Sequence, residues 1–162
     1  MAISTTTPAA IRAAVKTAVQ GMSVDHPEDS DQSWIPSNDY LPSGPRHFAI
    51  IQDPSTHRWF TGADATHGGR GTSYTYEMRI RVGYGGLGRE EQEDRPMSDH
   101  GALWELLHPR TASGAGTIDI DGVMSFMADA AEPGIEEVIG EEDGGPVYDF
   151  VFQVHYLRAH NT

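Results

Sequence analysis

Residues 74–84 read YTYEMRIRVGY. Tyr74, Tyr76, Met78, Ile80, Val82 and Tyr84 alternate with Thr75, Glu77, Arg79, Arg81 and Gly83, a period of two that sends the large apolar side chains to one side of an extended chain. The period predicts a strand with one face in a core and the other in water. A second run of this kind stands near the end of the sequence: in VYDFVFQVHYLR (147–158), Tyr148, Phe150, Phe152, Val154 and Tyr156 share a face. One-sided strands belong to antiparallel sheets covered by a second layer.

Working outward, HFAIIQD (47–53) and HRWFTG (57–62) are short β-rich runs on either side of Asp53-Pro54-Ser55-Thr56, and the turn chemistry between them predicts a hairpin. IEEVI (135–139) is expected to pair with 147–158 around GEEDGGP. The covering layer begins with Ile11, Val15, Ala18, Val19 and Met22, spaced as one helical stripe that starts at Thr7-Pro8 and ends near Gly21. A second helix is expected from Pro96 or Ser98, carrying Leu103, Leu106 and Leu107 and stopped by Pro109. Residues 83–96 pass from glycine to charge and read as a surface loop. Val123, Phe126, Met127 and Ala130 step like a short helix over 121–130. Residues 23–45, with four prolines and five acidic residues, read as a long loop. Its Trp34, Ile35, Tyr40 and Leu41 either staple it to its own domain or dock on a partner subunit. The expected fold is α+β: a single domain over 1–162, with a mainly antiparallel sheet of about four to five strands flanked by two or three helices.

The 162 residues include 24 acidic and 11 basic side chains, a net charge of −13 that opposes clamping of nucleic-acid phosphates. No cysteine is present, which excludes disulfides, thiolate metal sites and thiol nucleophiles. No apolar run is long enough for a membrane span, and MAISTTTPAA lacks the basic start of a signal peptide, so none is expected. The eight histidines form no HExxH or HxH pattern, and Asp119-Ile120-Asp121-Gly122 lacks the closing Glu of a calcium loop. HGGRG (67–71) lacks the ending of a phosphate loop, and GYGGLG (83–88) runs into acidic REEQED, which would repel a pyrophosphate. No enzyme motif emerges, and no metal or cofactor is expected. A site assembled from scattered residues such as His47, Arg79 and His155, giving a small α+β enzyme or ligand-binding module, is the alternative.

Four segments carry a resemblance across most of the chain: the opening TPAAIRAAVKTAV helix, the YTYEMRIRV strand, ALWELLHP on a helix, and the late strand VYDFVFQVHYLR. In this organisation the chain resembles the tail terminator, or tail-completion, proteins of long-tailed bacteriophages and related gene transfer particles. The resemblance implies a virion protein of the tail neck, assembled in the host cytoplasm and without catalytic activity. It implies a homo-oligomeric ring, commonly a hexamer, that ends polymerisation of the tail tube protein and meets the head-completion connector protein, while genomic DNA passes without specific binding. A head-completion or neck adaptor is the nearest alternative within that class. On this reading Trp34, Tyr40, Leu41, Arg12 and Lys16 are subunit-interface candidates, and deletion of 24–44 is expected to leave a folded monomer that no longer closes rings. Glu90, Glu91, Glu93, Asp94, Glu141, Glu142 and Asp143 are candidates for the lumen or the ring faces. Six copies at −13 each carry −78, so ring closure is expected to strengthen with added salt.

Overall fold

The computed structural model describes residues 8–22, 34–42, 44–60, 71–108, 118, 120, 123–139 and 145–159. In chain order the elements are α1 (Pro8–Gln20), β1 (Ile35–Pro36), β2 (His47–Gln52), β3 (Arg58–Phe60), β4 (Gly71–Gly83), α2 (Arg89–Leu107), β5 (Val123–Ile139) and β6 (Val147–Ala159). Six strands form one sheet in the order β1-β2-β4-β6-β5, with β3 also on β4, and only the β1–β2 pair is parallel. The α+β single-domain class is therefore as expected, with one or two strands more. Among the described residues no helix is long and apolar enough to cross a membrane.

The alternation in 74–84 sets the core. Tyr76, Met78, Ile80 and Val82 of β4 lie on the same face as Phe150, Phe152 and Val154 of β6 and Phe48 and Ile50 of β2, and all are buried. Ile11, Val15 and Val19 of α1 and Leu103 and Leu107 of α2 close over this face, so both helices lie on one side of the sheet. Packing places α1 over β1 and β2, and α2 over β5.

Three expectations are corrected. First, 47–60 is not a hairpin. Both β2 and β3 run antiparallel to β4 along the edge that β6 leaves open, so they form one interrupted strand. Residues 53–57 bulge out opposite residues 76 and 77. The turn chemistry is real but satisfied locally: the Ser55 amide donates to Asp53 Oδ1 at 2.8 Å, and Thr56 Oγ1 accepts the Glu77 amide at 2.9 Å, replacing the missing ladder bond.

Second, α2 starts at Arg89 and takes in the acidic run 90–94. Glu90 and Glu91 in the first turn favour the positive end of the helix dipole, and the Glu91 carboxylate accepts the Gly88 amide at 3.3 Å. Pro96 lies inside the helix and is buried. Third, Val123–Ile139 is a single edge strand on β6, not a helix followed by a strand. Phe126 and Ala128 face inward with a period of two, opposite Tyr156 and Val154, and this sheet contact overrides the helical spacing of 123–130. Pro133 and Gly134 sit in a bulge where residues 131–134 oppose Val151 alone, a place where an edge strand tolerates proline. The pairing of 135–139 with the last strand is as expected.

Candidate functional site

The face of the sheet turned away from the helices is not simply wet. Arg81 is buried, and its guanidinium grips the buried Asp149 with both ends: Nε donates to Oδ1 at 2.7 Å and Nη2 to Oδ2 at 2.9 Å. Its remaining nitrogen donates to the Tyr40 carbonyl at 3.3 Å, and the guanidinium lies 4.4 Å from the centre of the Tyr40 ring. The hydrogen bonds to Asp149 hold the Arg81 pKa above the ordinary arginine value. Beside it, Arg79 reaches Glu77 at 2.9 Å, Glu136 at 2.6 Å and Asp149 at 3.5 Å. Burial works against the charged form of Arg79, but the hydrogen bonds to Glu77 and Glu136 outweigh it and raise its pKa. A groove of about 440 Å³ opens here, with Tyr40, Ile51, Asp53, Glu77, Arg79 and Arg81 in its lining. Both guanidiniums are already engaged by carboxylates, which makes this a braced surface.

A second polar network lies on the helix side. Asp99 of α2 is fully buried and accepts the Tyr84 hydroxyl at 2.9 Å and Arg46 Nε at 3.3 Å. Arg46, also buried, adopts φ 54°, a left-handed backbone unusual for a residue with a side chain, and lies 5.8 Å from the centre of the Trp34 ring. Burial, then the charge of Asp99, pushes the Tyr84 pKa well up. The network ties the segment around Trp34 to α2. Gly83 makes this possible, because a Cβ there would meet the Pro42 carbonyl oxygen at 2.2 Å.

The interface candidates separate accordingly. Trp34 is 2% exposed and packs edge-on against Phe48, so its side chain belongs to its own core and is withdrawn from the partner surface. Tyr40, at 67% exposure, and Leu41, at 43%, stay outside, as do Ile35 and the Arg12 and Lys16 side chains of α1. Of the acidic candidates, Glu90, Glu93 and Asp94 are exposed on α2, while Glu91 is half-buried and pairs with the buried Arg95 at 3.2 Å. Glu141, Glu142 and Asp143 fall outside the described residues. The scattered site does not form: His47 aligns through Gly83 with Val147, eight positions along β6 from His155, roughly 26 Å away.

Arg46, Asp99 and Asp149 escaped the sequence reading. Asp149 had a signal, an acid between the apolar Tyr148 and Phe150 of a strand, but its meaning required knowing that Arg81 stands opposite. Among the described residues, no three histidine or carboxylate side chains are grouped as a metal site would need. No protein-family model and no curated protein sequence matches the chain.

Proposed function

We propose that the chain is a structural ring protein of a phage-type tail neck, a tail terminator that caps the tail tube and joins it to the head connector. The observation that carries this reading is where the four segments of the resemblance sit. Their described residues lie on α1, β4, β6 and the end of α2, which pack into a single core, so the resemblance follows the framework of the fold and not scattered loops. The exposed Glu90, Glu93 and Asp94 give α2 an acidic start of the kind that repels DNA phosphates and leaves a passing genome nothing to hold.

The test is assembly and capping. Size-exclusion chromatography with light scattering, followed by negative-stain imaging, is expected to show closed rings whose population grows with salt as the repulsion between acidic protomers is screened. Added to polymerising tail-tube subunits, the protein is expected to shorten the tubes in proportion to its concentration. A chain that stays monomeric, or rings that leave tube length unchanged, would overturn the terminator reading.

A further inference from the structure

The helix at one lateral edge of the sheet and the strand at the other carry opposite charge, although the exposed Asp39 lies in the segment beside that helix. At one edge, α1 lies over β1 and β2, with Arg12 and Lys16 exposed one turn apart and no acidic residue anywhere in the helix. Neither cation has an ion-pair partner among the described residues, and both are exposed on one flank of the buried stripe of Ile11, Val15 and Val19. Exposed Ile35 and Leu41 belong to the segment that forms this same edge. At the other edge stands β5, a 17-residue strand with Asp129, Glu132, Glu136 and Glu137 exposed and no basic residue. Arg79 reaches Glu136, and Trp104 Nε1 donates to Asp129 at 3.2 Å, but among the described residues no cation pairs with Asp129, Glu132 or Glu137. On its outer side β5 has no strand partner among the described residues.

We infer that the β5 edge of one copy docks against the α1/β1 edge of the next copy, with Glu132 and Glu137 facing Arg12 and Lys16. This inference rests on the ring reading above and specifies the surfaces that close the ring. The complementary patches stand at opposite ends of the strand order, so a contact between them is head-to-tail. Such a contact leaves one free edge of each kind on every dimer and propagates, closing into a ring where the rotation between copies allows it. The acidic start of α2, by contrast, shares the helix layer with α1 and offers no comparable opposition across the sheet. The charge signs are also compatible with an acidic protomer. At about 0.1 M salt the Debye length is about 10 Å, so repulsion between whole protomers is screened while close contact pairs retain much of their attraction.

Charge exchange tests the pairing. R12E/K16E places carboxylates at both edges, and E132K/E137K places cations at both. Each variant alone is expected to remain monomeric at protein concentrations about tenfold or more above those at which wild type assembles, with an unchanged far-ultraviolet circular dichroism spectrum. An equimolar mixture of the two is expected to assemble in alternation. The chain carrying all four substitutions is expected to assemble by itself, since its edges are complementary again. If either double variant assembles like wild type, or if neither the mixture nor the fourfold variant recovers assembly, the pairing is wrong while the ring reading stands. If the wild type never assembles, the ring reading fails and takes the pairing with it.

Discussion

Replacing Asp149 with asparagine keeps the shape of the side chain but removes the charge that faces Arg81. Asp149 is fully buried and Arg81 is 6% exposed, so the guanidinium loses its counter-charge at the wall of the groove, where little water reaches it. Breaking a buried pair in this way costs about 3–5 kcal/mol, because the remaining ion keeps its desolvation penalty and loses the attraction that offset it. The reverse change, Arg81→Met, is expected to cost less, nearer 2 kcal/mol, since Arg79 already lies 3.5 Å from Asp149 and stays to partner it. Replacing both with apolar residues, R81M/D149L, removes both desolvation penalties and is expected to fall within about 1 kcal/mol of wild type. Urea unfolding followed by circular dichroism reads these differences. With an m-value of about 2 kcal/mol per molar, D149N shifts the midpoint down by about 2 M, and the double variant recovers most of that shift. Two protein concentrations separate folding from assembly. A D149N shift under about 0.5 M, or a double variant as unstable as the two single changes added together, would refute the reasoning.

Three further outcomes are expected. Trp34→Ala removes a 2%-exposed indole from the core and should lose about 3–5 kcal/mol, whereas Tyr40→Ala, at a 67%-exposed ring, should lose less than about 1; thermal melts compare them. By the same reasoning, deleting 24–44 takes out Trp34 and β1 and is expected to unfold the domain, which corrects the expectation of a folded monomer. His100 stacks on Phe152 with ring centres 5.6 Å apart, and burial lowers its pKa below the ordinary value of about 6.5. Above that value both folded and unfolded chains hold it neutral; below it the unfolded chain takes the proton first, so stability falls as the pH drops towards the folded value. His57, lowered by burial as well, acts in the same direction. Melting temperatures at pH 7.5 and 5.5 should differ less in His100→Phe than in wild type, and an identical difference would count against the assignment.

What was legible in the sequence was whatever depended on a single element. The alternation of Tyr76, Met78, Ile80 and Val82, and the stripe of Ile11, Val15 and Val19, identify a strand and a helix without knowledge of their neighbours. The rest depends on a partner element. Val123 to Ala130 carries helical spacing, but its place on the open edge of β6 makes Phe126 and Ala128 a strand face. The residues at 53–56 do make a turn, yet a strand can absorb such a turn as a bulge when β4 supplies an edge on both sides of it. The acidic run 90–94 looked like solvent-exposed loop, although acids in a first turn are also what a helix start prefers. Tyr40 and Leu41 remain available at the surface, but Trp34 does not, and composition alone offered no way to separate them.

The same logic changes what the excess of acid means. Among the described residues, five of the 11 basic side chains are in ion pairs: Arg46, Arg79, Arg81 and Arg95 brace the framework with Asp99, Glu136, Asp149 and Glu91, and Arg89 pairs with Glu93 on the surface of α2. The basic groups open to a partner are therefore fewer than composition suggests, and two of them stand together on α1. Like charges four residues apart weaken an isolated helix by a few tenths of a kcal/mol, and α1 has no acid of its own to relieve them. A solvated face could be built more stably by replacing either cation with glutamate at i, i+4 spacing. An arrangement that is locally unfavourable and externally unpaired gains a reason when an acidic surface arrives from outside, and β5 presents such a surface on every copy of the chain.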